Sequence, residues 1–253
     1  MRNIRIIPRL DIKGPNVIKG VHLECLRIVG NPEVLATKYY SEGADEIIYM
    51  DIVASLYGRR NLIDIVEKVS EDIFIPLTAG GGVRSLEDIN NLLRAGADKV
   101  AINSWLIQNP DFVDTSVKLF GSQCIVGSIE AKRMPSGEWM AFYNNGREFS
   151  GKDAIKWAKE LAGRGIGELL VTSIDQEGTR RGYDYELIAK ISSIVDIPVV
   201  ASGGAGTLQD IEDIIYKGKA DAVAIASLFH YNDLKIGEVK KFLNRTAASM
   251  SGV

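Results

Sequence analysis

The chain of 253 residues is 46% hydrophobic and 25% charged, ordinary proportions for a globular protein with room for two small domains or one large barrel. A formal net charge of −3 gives no electrostatic reason to expect nucleic acid or a membrane as partner, and no apolar run approaches the ~18 residues that span a bilayer. Two cysteines (Cys25, Cys124) and two histidines (His22, His230) without metal-like spacing argue against a metal site, no cofactor is expected, and a start without a basic-then-apolar signal pattern points to the cytoplasm.

Short apolar runs alternate with amphipathic segments along the chain, without a Pro/Ser-rich linker. Strands are predicted over 4–10, 46–51, 76–79, 99–102, 123–129, 168–172, 198–201 and 222–225. These runs are mostly continuous, as strands buried on both faces are. The segment from Lys13 to Gly30, after the first strand, is too long for an ordinary strand-to-helix turn. Helix patterns follow at NLIDIVEKVSEDI (61–73) and SLEDINNLLRAGA (85–97). In the second, Ser85 is the expected N-cap, Asp88 sits near the third helical position, and Gly96 marks the stop. GEWMAFYNNGREFS (137–150) reads as a hairpin turning at Asn-Gly. Trp105, Trp139 and Trp157 read as packing residues. Eight strand–helix units in about 250 residues predict one closed (β/α)8 barrel over 1–253, a TIM barrel, rather than an open doubly wound sheet.

The chain also repeats itself. IPLTAGGGVRSLEDI (75–89) matches IPVVASGGAGTLQDI (197–211), and GADKVAINS (96–104) matches GKADAVAIAS (218–227) with one extra residue. Asp11 is expected to end strand one and Glu130 to end strand five, so two half-barrels would each carry one carboxylate. Gly81 and Gly82 follow strand three; Ser202, Gly203 and Gly204 follow strand seven. Glycine lets a backbone approach closely, and its exposed N–H groups can cradle an anion. Each run is followed one strand later by a short polar element, Asn103–Ser104 or Ala226–Ser227, and 227–230 is predicted as a short helix at a phosphate site. A lone glycine run is usually a tight turn. Two in register, each with a polar strand end, predict a substrate with a phosphate at each end.

With LDIK and Lys19 beyond it, YYSEGADEIIYMDIVAS, LTAGGGVRS, RAGADKVAINS, FGSQCIV, TSIDQEGTRRGYD and ASGGAG, the chain resembles the cyclase subunit of imidazole glycerol phosphate synthase, the HisF family. The resemblance covers essentially the whole chain, and the related phosphoribosyl isomerase (HisA) matches these segments less well. It implies a lyase-type reaction in histidine biosynthesis. Ammonia from a HisH-like glutaminase partner, in a heterodimer, converts a phosphoribulosyl-formimino aminoimidazole carboxamide ribonucleotide to imidazole glycerol phosphate and the aminoimidazole ribonucleotide. Asp11 and Glu130 stand at the positions of two aspartates that act as general base and acid. Such a pair works because burial and mutual repulsion push the two pKa values apart. The resemblance further implies that Lys19, Thr172, Glu177 and Gly178 join the phosphate-site residues in holding substrate, and that the loop carrying Lys19 folds over it. Arg5, Glu46, Lys99 and Glu168, at the starts of strands one, two, four and six, would form a salt-bridged ammonia gate. On the residues alone they read equally well as a charge layer closing the barrel. Asp98 matches a contact with the glutaminase.

Five departures from the family pattern fall near the reacting centre. Arg9 replaces a cysteine, Val53 a threonine, Glu130 and Glu177 aspartates, and Gly127–Ser128 alters the approach to the strand-five acid. One methylene moves a carboxyl by over an ångström, and a displacement of about that size costs about 100-fold in a preorganised site. Gly127 is expected to make room for the longer acid. These departures leave two alternatives open. One is a WbuZ-like paralogue in surface-sugar biosynthesis that passes ammonia to a sugar amidotransferase; the other is a non-catalytic module that activates the glutaminase.

Overall fold

A computed structural model describes residues 4–52 and 60–250; Val53 lies outside them. In chain order the strands are β1 (Arg5–Lys13), β2 (Asn16–Val21), β3 (Glu24–Gly30), β4 (Ile47–Asp51), β5 (Leu77–Gly80), β6 (Lys99–Ile102), β7 (Ile125–Arg133), β8 (Trp139–Tyr143), β9 (Glu148–Asp153), β10 (Glu168–Ser173), β11 (Val199–Ser202) and β12 (Ala222–Ile225). Eight of them, β1, β4, β5, β6, β7, β10, β11 and β12, pair in that order, all parallel, and β12 returns to β1. Helices interleave them, so the fold is the closed (β/α)8 barrel that the strand count predicts. No helix among the described residues is long and apolar enough to cross a membrane.

Successive side chains on a strand point to opposite faces, and this alternation builds two separate cores. On β1, Ile6, Leu10 and Ile12 pack outward with the helices, while Ile7 joins an inner cluster with Ile48, Ala101, Val126, Leu170, Val200, Ala222 and Ala224. The two halves repeat in their local chemistry. Ser85 and Thr207 cap helices Leu86–Arg94 and Leu208–Tyr216, each in a capping box with the aspartate three residues on (Asp88, Asp210). The segments GAD (43–45), GAD (96–98) and KAD (219–221) share a further device. In each the aspartate Oδ2 accepts a backbone N–H at the start of a neighbouring strand: Asp45 from Ile6 at 2.8 Å, Asp98 from Leu77 at 2.8 Å, and Asp221 from Val199 at 3.0 Å.

The structure extends the predicted first and fifth strands beyond the barrel rim, to Lys13 and Arg133, and each turns there into an antiparallel hairpin. The hairpin β8–β9 turns through Asn144, Asn145 and Gly146, all at positive φ, as the Asn-Gly signal predicts. The segment from Lys13 to Gly30 is not a loop but the hairpin β2–β3. Its turn runs through His22 and Leu23 in the left-handed region, with Cys25 beyond them, so no Gly or Asn-Gly announces it. Trp139 and Trp157 are buried packing residues, as expected.

Gly127 does not make room for Glu130. It faces outward, where a Cβ would stand 2.6 Å from Ile166 Cδ1 and 3.0 Å from Leu161 Cδ1, so its lack of a side chain lets that helix layer approach the sheet. The reason is the period of two: residues 127 and 130 lie an odd number of positions apart and point to opposite faces. Gly127→Ala should therefore lower stability by about 1–3 kcal/mol in a denaturant titration, the usual cost of overpacking. The affinity of the barrel mouth for phosphate ligands should not change.

Candidate active site

Asp11 and Glu130 sit at the open mouth of the barrel, on the inner face of the first strand of each half. Both are buried, at 5% and 8% exposure. One inward position below Asp11, the buried Arg9 crosses the lumen. Its Nε donates to Asp11 Oδ1 at 2.9 Å, and its NH1 donates to Thr172 Oγ1 at 2.8 Å and Ser202 Oγ at 3.1 Å. Burial opposes the Asp11 charge, but Arg9 and Lys19 outweigh it, and the carboxyl is held below its ordinary range. Glu130 goes the other way. Burial, with the Asp11 charge behind it, pushes the carboxyl up to about 7 against a hydrogen bond from the Gly146 N–H at 2.7 Å and the charge of Arg9. At neutral pH one carboxyl of the pair is ionised and the other holds its proton part of the time.

The two glycine runs flank this pair. Gly81 and Gly82 have φ of 110° and 63°, Gly203 and Gly204 of 93° and 110°. A Cβ at Gly81 would lie 2.1 Å from the Asp51 carbonyl oxygen, and one at Gly204 2.1 Å from that of Gly182, so both turns need glycine. Asn103 (φ −121°, ψ −79°) and Ala226 (φ −116°, ψ −74°) adopt the same backbone conformation before the short helices Ser104–Gln108 and Ser227–His230. The first-half chamber has a volume of about 290 Å3 and brings together Gly81, Gly82, Asn103, Ser104, Glu130 and Arg9. The second, of about 20 Å3, brings together Lys19, Glu177, Gly178, Ser202, Gly203, Gly204, Ala226 and Ser227, again with Arg9. Thr172 lines neither chamber; its hydroxyl is taken up by Arg9 beneath the floor. A more open cleft of about 730 Å3 beside the β7–β8 hairpin, lined by Arg133, Tyr183 and Glu186 among others, holds none of these predicted residues.

The second chamber is small because it is roofed. Lys19 on β2 is buried and donates to the Glu177 carboxylate, and the His22 N–H donates to the Glu177 carbonyl at 2.8 Å. Burial pulls the Lys19 ammonium down to about 8. A Cβ on Gly178 would fall 2.3 Å from the Gly20 carbonyl oxygen, and one on Gly146 2.9 Å from Leu23 Cδ1, so both hairpins meet over the mouth. Residues that the sequence reading left out also line the chambers. Arg84, Arg147 and Trp105 face the first, and Arg180, which pairs with Asp233 at 2.8 Å, faces the second. Trp105 packs edge-to-face on Phe112, as a packing residue should, yet its buried Nε1–H has no partner. Arg84 and Arg147 carried a signal in their position beside the first glycine run and the Asn-Gly turn; Arg180 stands far in sequence from the second run.

At the closed end Arg5, Glu46, Lys99 and Glu168 form a ring. Arg5 NH1 reaches Glu46 at 2.7 Å and NH2 reaches Glu168; Lys99 Nζ reaches Glu46 at 2.8 Å and Glu168 at 2.6 Å. Thr78 Oγ1 donates to the second Glu46 oxygen at 2.6 Å. Each carboxylate is thus held by both cations. Burial works against the Arg5 charge, but its bonds to Glu168 and Glu46 outweigh that and raise its pKa further. Asp98 lies beside the ring in sequence, exposed, with one oxygen engaged by the Leu77 N–H.

Residues 5–235 match the family described as histidine biosynthesis protein. The imidazole glycerol phosphate synthase subunit HisF of Legionella pneumophila is 58% identical over 210 residues, 83% of this chain and 99% of that one. The HisF subunit of Dehalococcoides mccartyi is 49% identical over 243 residues, 96% of each chain. The chain belongs to the HisF family of histidine biosynthesis proteins. Within this HisF-family barrel the matched span runs from Arg5 of the ring through both glycine runs to the second short helix.

Glu130 binds its proton more tightly in the folded chain, with a pKa of about 7, than in the unfolded one, near 4.5. Its contribution to stability is therefore complete below pH 4.5 and lost as pH rises through 7. Glu130→Gln should flatten that part of the pH dependence, worth about 3 kcal/mol at most, in denaturation midpoints measured between pH 5 and 8.

Proposed function

We propose that this chain is the cyclase subunit of an imidazole glycerol phosphate synthase, the lyase component of a glutamine amidotransferase complex in histidine biosynthesis. A HisH-like glutaminase docks on the ringed end, near Asp98, and releases ammonia to the Arg5–Glu46–Lys99–Glu168 gate. The inner cluster around Ile7, Val126 and Leu170 then offers an apolar path that suits neutral ammonia and disfavours the ammonium ion. At the mouth, a substrate with a phosphate at each end spans the two glycine cradles. Its middle lies over Arg9, which lines both chambers.

The observation that carries this reading is the opposed pair. Asp11 and Glu130 come from equivalent strands of the two halves, face the same mouth, and have their proton affinities shifted in opposite directions. Asp11 takes the proton from the attacking nitrogen and Glu130 delivers one to the departing group, each contributing about 10²–10⁴-fold. The second cradle holds a phosphate once the β2–β3 hairpin lifts, and Lys19 then exchanges Glu177 for that phosphate. No feature among the described residues favours the sugar-amidation paralogue or the bare activating module, and the two relatives named above are HisF subunits.

Ammonia-dependent turnover of the histidine precursor tests this directly. The chain should produce imidazole glycerol phosphate without its glutaminase. Asp11→Asn should cut kcat by about 10³-fold while bisphosphate affinity stays within a few fold. No turnover by a folded chain that still binds bisphosphates would overturn the cyclase reading.

A further inference from the structure

Arg9 stands where the family resemblance leads one to expect cysteine, and its surroundings give it work that a cysteine cannot do. It rises inside the lumen between Ile7 below and Asp11 above, at 4% exposure. One side of its guanidinium holds Asp11. The other holds Thr172 on β10 and Ser202 on β11, both strands of the second half. The guanidinium is a rigid planar fork, so anchoring NH1 on two hydroxyls fixes the direction in which Nε meets the carboxylate. It also lines both chambers, so it forms the floor between them.

Other charged groups face Asp11. Lys19 does so from β2, but it is bonded to Glu177. His230 does so from helix Ser227–His230, and burial drives it to about 4, so it is neutral under physiological conditions. Glu130 faces it from β7, and Asp51 ends the neighbouring β4. Arg9 is the cation in direct contact with the Asp11 carboxylate.

We propose that Arg9 is a positioning residue: by bridging the lumen from Asp11 to Thr172 and Ser202, it fixes Asp11 as a carboxylate at the barrel mouth and leaves Glu130 as the proton carrier of the pair. This rests on the reading of Asp11 and Glu130 as the reacting groups. A merely structural arginine would support the fold without setting the charge of Asp11.

The test is a pH titration of the chain labelled with 13C at its aspartate carboxyls, with Asp11→Asn to assign the signal. In the wild-type chain the Asp11 midpoint should lie below the ordinary ~3.9. A wild-type midpoint at or above that value overturns the proposal, whether or not any variant folds. In Arg9→Met the proton affinity of Asp11 should rise at least about tenfold. The acid limb of the ammonia-dependent kcat profile should move to higher pH with it, and Arg9→Lys should bring the limb part of the way back. A folded Arg9→Met chain with lower kcat but an unmoved Asp11 midpoint would also overturn the proposal. The titration requires no turnover, so a chain that fails to cyclise the precursor contradicts the proposed function and leaves the Arg9 result to be read by itself.

Discussion

Closure of the parallel ring through the β12–β1 pairing is the constraint on which everything else here depends. Once the ring is shut, every second side chain of eight strands projects into one narrow lumen, and each polar group there must find a partner across it or be left unpaired at a cost of a few kcal/mol. Along β1 the inward positions read Arg5, Ile7, Arg9 and Asp11, which is a section through the molecule from bottom to top. Arg5 is answered by Glu46 and Glu168, Ile7 by the apolar inner cluster, and Arg9 by Thr172 and Ser202. Asp11 is answered by Arg9 from below. The layers follow from one strand period and from closure.

The three charged departures form a connected set. Glu130 uses its extra methylene in a bond to the Gly146 amide, which pins it to the turn of the β8–β9 hairpin. Glu177 reaches Lys19 and ties down the opposite hairpin, β2–β3. Arg9 joins the two halves between the two chambers. A centre that had simply lost its function would be expected to leave buried charges unpaired, and such charges are costly. Here each of the three replaced residues has its own partner, which is the pattern of a site rebuilt around different contacts.

Much of this was legible in the sequence because it is local. Continuous apolar runs gave the eight barrel strands, Ser85 with Asp88 gave a capping box, and the duplicated glycine runs gave two cradles in register. The Asn-Gly pair gave the β8–β9 turn. What escaped depends on three dimensions. The β2–β3 hairpin turns through His22 and Leu23, residues with no turn preference, so Lys13 to Gly30 looked like a loop. Thr172 and Ser202, the two hydroxyl partners of Arg9, lie more than 160 residues away and meet it only when the ring closes. Gly127 is near Glu130 in sequence but faces outward, because a strand reverses its side chain at every residue.

The central claim is that one lumen connects the charged ring at the bottom to the carboxylate pair at the mouth. The measurement that bears on it most directly is isotopic transfer in the complex with its glutaminase. Glutamine labelled with 15N at the amide is supplied together with excess unlabelled ammonium at a pH where little of it is free ammonia, and the imidazole product is analysed for label. The account predicts that the product carries predominantly the glutamine nitrogen, and that Glu46→Ala, which opens the ring, lowers that fraction. Product labelled only to the extent of the mixed solvent pool would contradict it.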